Sequence, residues 1–380
     1  MSRHHARRPV LLPAVRRLWR DPHRLQLGTD PGRAMILELA DPACAEILDL
    51  LDGTRTETAL LRAAVRRGVR AEDASAMLTA LAEAGFVQDA RTLHAPDVAE
   101  PVRRRLDAEA AALALGSRPG GRPRFSTRTP TAPRGVADTL RRRLSAQVLI
   151  TGASHLAVPI AAILASAGVG HLDPALRGVT RLADAAPAGL LPTDTNRPRG
   201  IAAAEAVRRA APDVDLAPLN RKAATFAVLV GFAAPATLTA LALGTRRLAH
   251  LAVAVRDGVV VVGPLVRPGR TPCLNCLDLH RLDRDPGWSV IAAQLNDGPD
   301  TAEPLAATTA LAAAAYAAAE VLTHIDGGHP TTLGATVEIA GPDQATRRSW
   351  VPHPRCGCRR RVRSRRSGPP PEPPGCFNKS

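Results

Sequence analysis

The sequence predicts an α/β protein in which a small N-terminal α+β module precedes a Rossmann-like, mainly parallel sheet. Three observations support this fold class. Three strand patterns followed by three helix patterns occupy the first 90 residues. From residue 145 onward short apolar runs alternate with helical patterns, which is typical of a parallel sheet with helices on both faces. Two tight cysteine pairs lie far apart in this second part and predict a structural zinc clip.

Most of the excess positive charge lies at the two ends of the chain. The 380 residues carry a formal net charge of +15, of which +6 falls in residues 1–24 and +7 in residues 355–380. The body is therefore nearly neutral. It also has few aromatic residues on which bases could stack, namely five Phe, three Trp and one Tyr in the whole chain. Nucleic acid is therefore not the expected partner.

Targeting and membrane signals are also missing from the sequence pattern. No uncharged stretch is apolar enough to cross a bilayer. The basic N-terminus lacks the continuous apolar core of a signal peptide. These features predict a cytoplasmic protein without a membrane partner.

Residues 1–95 predict a winged-helix-like module. The run RRPVLLPAV predicts a first strand, and Arg24–Gly28 and Ala34–Leu39 predict two more, joined by the turn sequence TDPG. Three amphipathic helices are expected to follow, each with a recognisable start or stop signal. These helices are predicted at 41–53, 56–67 and 72–84.

Residues 96–144 differ in composition from the segments on either side. An Arg/Ala-rich helix over Val102–Leu115 leads into SRPGGRPRFSTRTPTAPRG. Such a segment cannot bury enough apolar surface to offset its ordering entropy, so it predicts a flexible linker between two domains. The basic residues 359–380 are predicted to form a disordered tail.

Residues 145–358 predict the Rossmann-like domain. The apolar run Gln147–Thr151 stops at Gly152, and a helix is expected from His155 to Ala167. Asp257-Gly258 joins two apolar runs and is a strong hairpin signal. Further strands are predicted at 171–172, 213–219, 226–230, 250–255, 259–263, 332–339 and 345–351, and further helices at 201–210, 235–243 and 302–322.

Four of the six cysteines form the two pairs, Cys273 with Cys276 and Cys356 with Cys358. Two thiolates at such spacing grip one tetrahedral Zn²⁺, with Zn–S bonds of about 2.3 Å. Disulfides are rare in a cytosolic protein, so two knuckles completing one zinc site are the preferred interpretation. The site would tie the C-terminal hairpin to the middle of the domain.

Two alternatives remain open for these cysteines. One of the nearby histidines, His280 or His353, could replace a thiol, or the four thiols could bind no metal. Cys44 and Cys376 have no partner in the sequence, and Cys44 is expected to be a small buried apolar residue.

The turn after the first strand of the domain carries a degenerate nucleotide motif. In the sequence GASHLA, Gly152 supplies the tight turn, but Ser154 and Ala157 replace the second and third glycines of G-x-G-x-x-G. The Ser154 side chain stands where the backbone of an intact motif approaches the phosphates. This pattern favours a strand–helix turn over an ATP site.

These features together resemble a known family. The segment VLITG, the hairpin HLAVAVRDGVVVVGPL and the paired cysteines are similar to the ThiF/MoeB/HesA family, the ubiquitin-activating-enzyme-like adenylating fold. GRTPCLNCLDLHRLDRDPGW and WVPHPRCGC resemble its actinobacterial branch, described as ThiF-like cyclodehydratase partners in the biosynthesis of thiazole/oxazole-modified peptides, or bacteriocins. AMILEL, LDLLDGTRT and LAEAGFV resemble the PqqD-like peptide-recognition element.

The resemblance implies an ATP site that this chain matches only in part. Adenylating members carry an aspartate after the strand that corresponds to Phe226–Val230, where this chain has Gly231. Asp173 is the nearest candidate for the ribose-binding acid, and Arg199 stands where the family often has a lysine. We predict no catalytic residue. The candidate remnants of a nucleotide site are Gly152, Ser154, Ala157 and Arg199.

Three functions of different classes follow. The preferred one is a leader-peptide-binding scaffold without adenylation activity, which presents the peptide, bound as a strand beside Ala34–Leu39, to a separate cyclodehydratase. The second is an ATP-dependent enzyme that adenylates a C-terminal carboxylate. The third, a winged-helix DNA-binding regulator, is disfavoured because the third predicted helix has no basic residue. The resemblance also implies a homodimer. The predicted peptide contacts are Ala34, Ile36, Leu37, Leu78 and Leu81.

Overall fold

A three-stranded antiparallel sheet organises the N-terminal module. The computed structural model describes residues 7–13, 15–93, 98–116, 135–219, 223–231, 236–296 and 303–359. The sheet has the order β2-β3-β4, and β1 pairs separately with β5. β2 was not predicted from the sequence. Four of its five residues are exposed, and its sequence, RLWRD, lacks a regular alternation of apolar and polar residues. The strands are β1 (Pro9–Leu11), β2 (Arg17–Asp21), β3 (Arg24–Leu27), β4 (Met35–Glu38) and β5 (Val87–Asp89).

The helices of this module pack their apolar sides against that sheet. The Asp41 carboxylate accepts from the Ala43 amide at the start of a 3₁₀ turn over Pro42–Glu46, and the Thr56 hydroxyl caps α2. Their side chains share one buried core with β3 and β4. The helices are α1 (Ile47–Leu50), α2 (Glu57–Arg66), α3 (Ala71–Glu83) and the single turn α4 (Ala90–Leu93).

Two helices, α5 (Glu100–Gly116) and α6 (Val136–Ser145), connect the module to the large sheet. They pack together around Leu106 and Leu140. The buried Arg143 guanidinium bonds the Glu109 carboxylate of α5 and the Asp326 carboxylate that follows the last helix of the chain. The predicted helix at 102–115 is thus confirmed. The Pro/Gly-rich residues 117–134 lie outside the described residues, as do residues 360–380 of the predicted tail.

The second unit contains a seven-stranded sheet of order β12-β11-β10-β9-β8-β6-β7. Strands β7, β6, β8 and β9 run parallel, as predicted, and β10, β11 and β12 extend the sheet as antiparallel hairpins. The strands are β6 (Gln147–Gly152), β7 (His171–Ala175), β8 (Phe226–Val230), β9 (Ala249–Arg256), β10 (Val259–Val266), β11 (Ala335–Gly341) and β12 (Gln344–Ser349).

Helices cover both faces of this sheet, as expected for a doubly wound fold. Helices α7, α8 and α12 share a core with Val228 and Val253, whereas α10 packs on the opposite face, beside Leu229 and Ala252. Successive residues of β8 and β9 thus point to opposite faces of the sheet and contribute to two separate cores. The helices are α7 (Ala157–Ser166), α8 (Arg199–Ala210), α9 (Ala236–Thr245), α10 (Leu274–Arg284), α11 (Trp288–Asn296) and α12 (Ala307–Ile325).

The prediction of a strand at 213–219 is wrong. Only an isolated bridge forms there, between Asp215 and His171. The Ala217 amide donates to the Asp215 carboxylate and the Leu219 amide donates to the Asp173 carboxylate, so neither amide extends the ladder along β7. Within the described residues, no helix is long and apolar enough to cross a membrane.

Candidate functional site

The four predicted cysteines come together in one cluster. The sulfur of Cys273 lies 3.8 Å from that of Cys276 and 3.6 Å from that of Cys356, and the Cys276 and Cys358 sulfurs are 3.5 Å apart. All four sulfur atoms lie within 4.8 Å of one another. Zn–S bonds of about 2.3 Å in a tetrahedron require sulfurs about 3.8 Å apart, so the spacing fits a tetrahedral metal.

Local structure on both sides explains why the sulfurs converge. Cys273 precedes α10 and Cys276 lies in its first turn, so both thiols point to the same end of the helix. Cys356 and Cys358 follow β12, and the Asn275 side-chain amide donates to the Cys356 sulfur at 3.4 Å. The cluster packs on the sheet face that carries Leu229 and Val266. It therefore joins the end of the last hairpin to the middle of the domain.

The electrostatics of the cluster favour a bound cation. The hydrogen bond from the Cys273 thiol lowers the pKa of Cys276 to about 4. Burial and the neighbouring Cys276 sulfur raise the pKa of Cys358 to about 12, and the pKa of Cys273 is also raised. One thiolate thus suppresses the ionisation of its neighbours, and a divalent ion at the centre would remove this repulsion. The four residues fit a metal such as zinc.

Neither histidine near the pairs replaces a cysteine. The His280 ring contacts the Val351 carbonyl at 2.9 Å through Nε2. The His353 ring contacts the Asp283 carboxylate at 2.7 Å through Nε2 and accepts the Arg355 amide at Nδ1. Among the described residues, the metal-ligand group contains only the four cysteines. Cys44 is a free, half-buried thiol at the edge of the N-terminal core, and Cys376 lies outside the described part of the chain.

The glycine of the degenerate motif is required by strand packing. Gly152 has a φ of +132°, and a Cβ atom there would lie 1.8 Å from the Val230 carbonyl oxygen. That oxygen accepts the amides of Ala153 at 3.1 Å and Ser154 at 3.5 Å. The Leu156 amide donates to the Ser154 hydroxyl oxygen instead. The amides that would cradle a phosphate are therefore already bonded to protein groups.

A carboxylate occupies the mouth of this turn. The Ser154 hydroxyl donates to the Glu303 carboxylate at 2.5 Å, and His155 Nδ1 lies 3.0 Å from the same oxygen. Burial alone would raise the pKa of Glu303, but the hydrogen bonds from His155 and Ser154 hold it below its ordinary value. A negative charge of the protein thus lies where a phosphate would approach.

Arg199 and Asp173 are also engaged within the protein. The buried Arg199 guanidinium donates to the Ala153 carbonyl at 2.9 Å and to the Asp184 carboxylate at 2.7 Å. Burial opposes the ionisation of Asp184, but the Arg181 amide and Arg199 lower its pKa. The Asp173 carboxylate accepts the Leu219 amide at 2.8 Å.

The remaining nucleotide-motif residue, Ala157, is fully buried at the start of α7. The structure thus gathers Gly152, Ser154 and Arg199 in one place and surrounds them with protein partners. Glu303 and Asp184 were missed by sequence analysis because no local motif marks them. Glu303 reaches the turn from a segment 149 residues away, and Asp184 contacts the side chain of Arg199.

The predicted peptide contacts divide between the core and the surface. Leu37, Leu78 and Leu81 are only 7%, 4% and 0% exposed and lie in the core of the N-terminal module. Ile36 is 44% exposed on the other face of β4, and Ala34 is half-buried just before the strand. The three leucine side chains therefore belong to the core beneath β4 and do not line an open groove.

β4 offers an unpaired edge. Among the described residues it pairs only with β3. The Leu39 amide donates to the His23 carbonyl at 2.8 Å, and hydrogen-bonded pairs alternate along an antiparallel ladder, so Leu37 and Met35 also bond toward β3. The backbone groups of Ile36 and Glu38 consequently point away from β3, to the free edge.

No protein-family model matches the sequence, and no curated protein matches it. Solved structures do match. E. coli MccB with ATP is 16% identical at a TM-score of 0.57, and the alignment covers 92% of this chain and 99% of MccB. The microcin C7 biosynthetic enzyme MccB in complex with N-formylated MccA is 15% identical at a TM-score of 0.55, with the same coverage of 92% and 99%.

A second kind of solved structure is also similar. The heterocyclase TruD is 17% identical at a TM-score of 0.54, covering 93% of this chain but 42% of TruD. At these identities the likeness concerns the fold. It confirms the predicted α/β class, and it extends over the N-terminal module as well as the large sheet, since 92–93% of this chain is covered.

Proposed function

We propose that this chain is a peptide-binding partner protein in the biosynthesis of a ribosomally made, modified peptide. The observation that carries the proposal is the free edge of β4, where the backbone groups of Ile36 and Glu38 point outward beside a supported apolar core. An extended leader peptide would add there as a fourth strand. Met35 and Met77, half-buried at the margin of the same core, would supply adaptable apolar contacts.

The fold neighbours support a role in peptide modification. MccB is the microcin C7 biosynthetic enzyme and has been crystallised with the peptide MccA, and TruD is a heterocyclase. The alignment with TruD covers 42% of that protein. In our proposal, a separate cyclodehydratase in the cytoplasm supplies the cyclising chemistry. The N-terminal module would act as the PqqD-like recognition element, and zinc would hold the C-terminal hairpin in place.

The occupied nucleotide turn supports a partner without adenylation activity. The amides of Ala153 and Ser154 donate to Val230, and Glu303 places a carboxylate beside them. A triphosphate would have to displace these bonds and would meet like charge. The chain would therefore bind the peptide and leave activation to its partner.

A binding measurement tests this function. The full chain should bind a peptide encoded beside its gene, and Ile36→Pro should abolish binding because proline removes the outward amide while leaving the bonds to β3 intact. Ile36→Val, which keeps the amide and the strand preference, is the matched control. The proposal fails if the unaltered chain does not bind, or if the proline variant binds equally well while remaining folded.

A second candidate is the adenylating enzyme, favoured by the likeness to MccB with ATP over nearly the whole of both chains. It requires that the turn at Gly152 open to accept a nucleotide. Pyrophosphate exchange in the presence of peptide distinguishes the two candidates, because only an adenylating enzyme incorporates labelled pyrophosphate into ATP.

A further inference from the structure

A cluster of arginines surrounds a tryptophan beside the cysteine cluster. The guanidinium carbon of Arg348 lies 4.7 Å from the centre of the Trp350 ring, and that of Arg284 lies 5.7 Å from it. The Trp350 indole nitrogen donates to the Thr336 hydroxyl at 3.0 Å, which fixes the ring on the sheet. Cation–π contacts of this kind hold guanidinium groups in place without neutralising them.

Positive charge is crowded on this surface. Arg281 stacks on Trp288 at 4.9 Å, and burial together with the charges of Arg256 and Arg348 lowers its pKa. Its carboxylate partner is Asp278, at 3.1 Å. The lowered pKa of Arg281 reflects repulsion between these positive charges.

Two acids that form ion pairs at this surface are engaged by other residues. Asp278 pairs with Arg281, and Asp283 pairs with His353 and Arg355. Within the described residues, three arginines of this surface form no ion pair. They are Arg256, Arg284 and Arg348.

The same surface ends at the edge of β12, which pairs only with β11 among the residues that the structure describes. β12 forms the end of the seven-stranded sheet, and all six of its residues are exposed. The Trp350 amide donates to the Gly334 carbonyl at 2.9 Å, so Arg348 and Thr346 bond toward β11 in the alternating ladder. The backbone groups of Arg347 and Ala345 therefore point outward, available to another strand.

We propose that this arginine–tryptophan face, formed by Arg256, Arg281, Arg284, Arg348, Trp288 and Trp350, is a docking surface for an acidic, extended segment of a partner protein that adds as a strand to β12. Strand addition would satisfy the outward backbone groups of β12, and carboxylates of the added strand would pair with Arg284 and Arg348. A nucleic acid could neutralise the arginines but could not pair with the strand edge, so a polypeptide uses both features. The proposal is independent of peptide binding at β4, which belongs to another sheet.

Fluorescence anisotropy with the full chain tests the proposal. The probe is a labelled peptide of alternating glutamate and threonine, compared with a glutamine–threonine peptide of equal length and with oligothymidylate. The acidic peptide should bind at least about tenfold more tightly than the neutral one, and raising the ionic strength should weaken it. The double variant Arg284→Glu/Arg348→Glu should weaken binding about tenfold or more. Arg208→Glu, an exposed arginine of α8, is the matched control.

Two further variants separate the contribution of the β12 strand edge from that of charge and from peptide binding at β4. Ala345→Pro removes an outward amide without changing charge or the bonds to β11, and should also weaken binding of the acidic peptide. Ile36→Pro should leave this binding unchanged, which distinguishes it from leader binding at β4. Equal binding of acidic and neutral peptides, no effect of the double variant in folded protein, or tighter binding of oligothymidylate than of the acidic peptide would each overturn the proposal. If the double variant does not fold, Arg348→Gln decides the role of charge.

Discussion

The Ser154 hydroxyl donates a hydrogen bond to the Glu303 carboxylate at 2.5 Å, across the turn where an adenylating enzyme would bind phosphate. His155 lies 3.0 Å from the same carboxylate oxygen. The carboxylate therefore holds the turn closed from a segment that begins just before α12. If the contact stabilises the turn and keeps phosphate out of it, both effects can be measured.

Replacing Glu303 should destabilise the protein in a pH-dependent manner. The pKa of Glu303 is lowered in the folded state, so its contribution is fully present above the unfolded pKa, about 4.3, and is lost as the pH falls through the lower folded value. Glu303→Gln should therefore cost about 1–2 kcal/mol of unfolding free energy at neutral pH, and less in acid. Urea unfolding at several pH values measures this difference.

The matched control is Glu83→Gln, since Glu83 is exposed at the end of α3. That variant should unfold like the unaltered protein at every pH. A cost of Glu303→Gln that grows as the pH falls from neutral toward acid would contradict the assigned role of the carboxylate.

Magnesium ATP should not stabilise this protein. The amides at Ala153 and Ser154 are bonded to Val230, and the nearby Glu303 carboxylate repels phosphate. A ligand present at about 100 times its Kd would add about 2.7 kcal/mol to the unfolding free energy, which a melting experiment detects readily. A clear rise in melting temperature with ATP would show that the turn opens and would favour the adenylating enzyme.

Sequence patterns predicted the parts of this protein that depend on local chemistry. The strand β6, the hairpin at Asp257-Gly258 and the cysteine cluster follow from apolar runs, turn residues and spacing, and all three are present. The partners of Ser154 and Arg199 could not be predicted in this way. Each is a carboxylate brought in by the tertiary fold, and a single acidic residue carries no sequence pattern that identifies its partner.

The buried pair of Arg199 and Asp184 should show strong coupling between its members. Removing one partner leaves the other charge buried, which typically costs about 3–5 kcal/mol, whereas replacing both by apolar residues is often close to neutral. Arg199→Met and Asp184→Leu should each lower stability by about this amount, and the double variant should recover much of it. Denaturant unfolding of the four proteins gives the coupling energy. Additive costs would show that the two charges act independently.

Removal of the metal should loosen the C-terminal hairpin. The sulfurs of the two cysteine pairs lie within 4.8 Å of one another, and they anchor the chain after β12 to the start of α10. The purified protein should carry one zinc per chain by elemental analysis, and substituted cobalt should give the absorption bands of a tetrahedral thiolate site. Cys276→Ser should abolish metal binding and lower the melting temperature.

The pH dependence of metal binding and a control substitution at a cysteine outside the cluster complete this test. Metal should be released as the pH falls, because protons compete with the ion for the thiolates. Cys44→Ser is the control, since Cys44 lies at the edge of the N-terminal core, apart from the cluster. It should retain the full zinc content. Stoichiometric zinc in Cys276→Ser, or none in the unaltered protein after reconstitution, would show that the four cysteines do not form a metal site.

Because the cluster fixes the chain beside Trp350, zinc loss should also increase amide hydrogen exchange along β12 more than along β6.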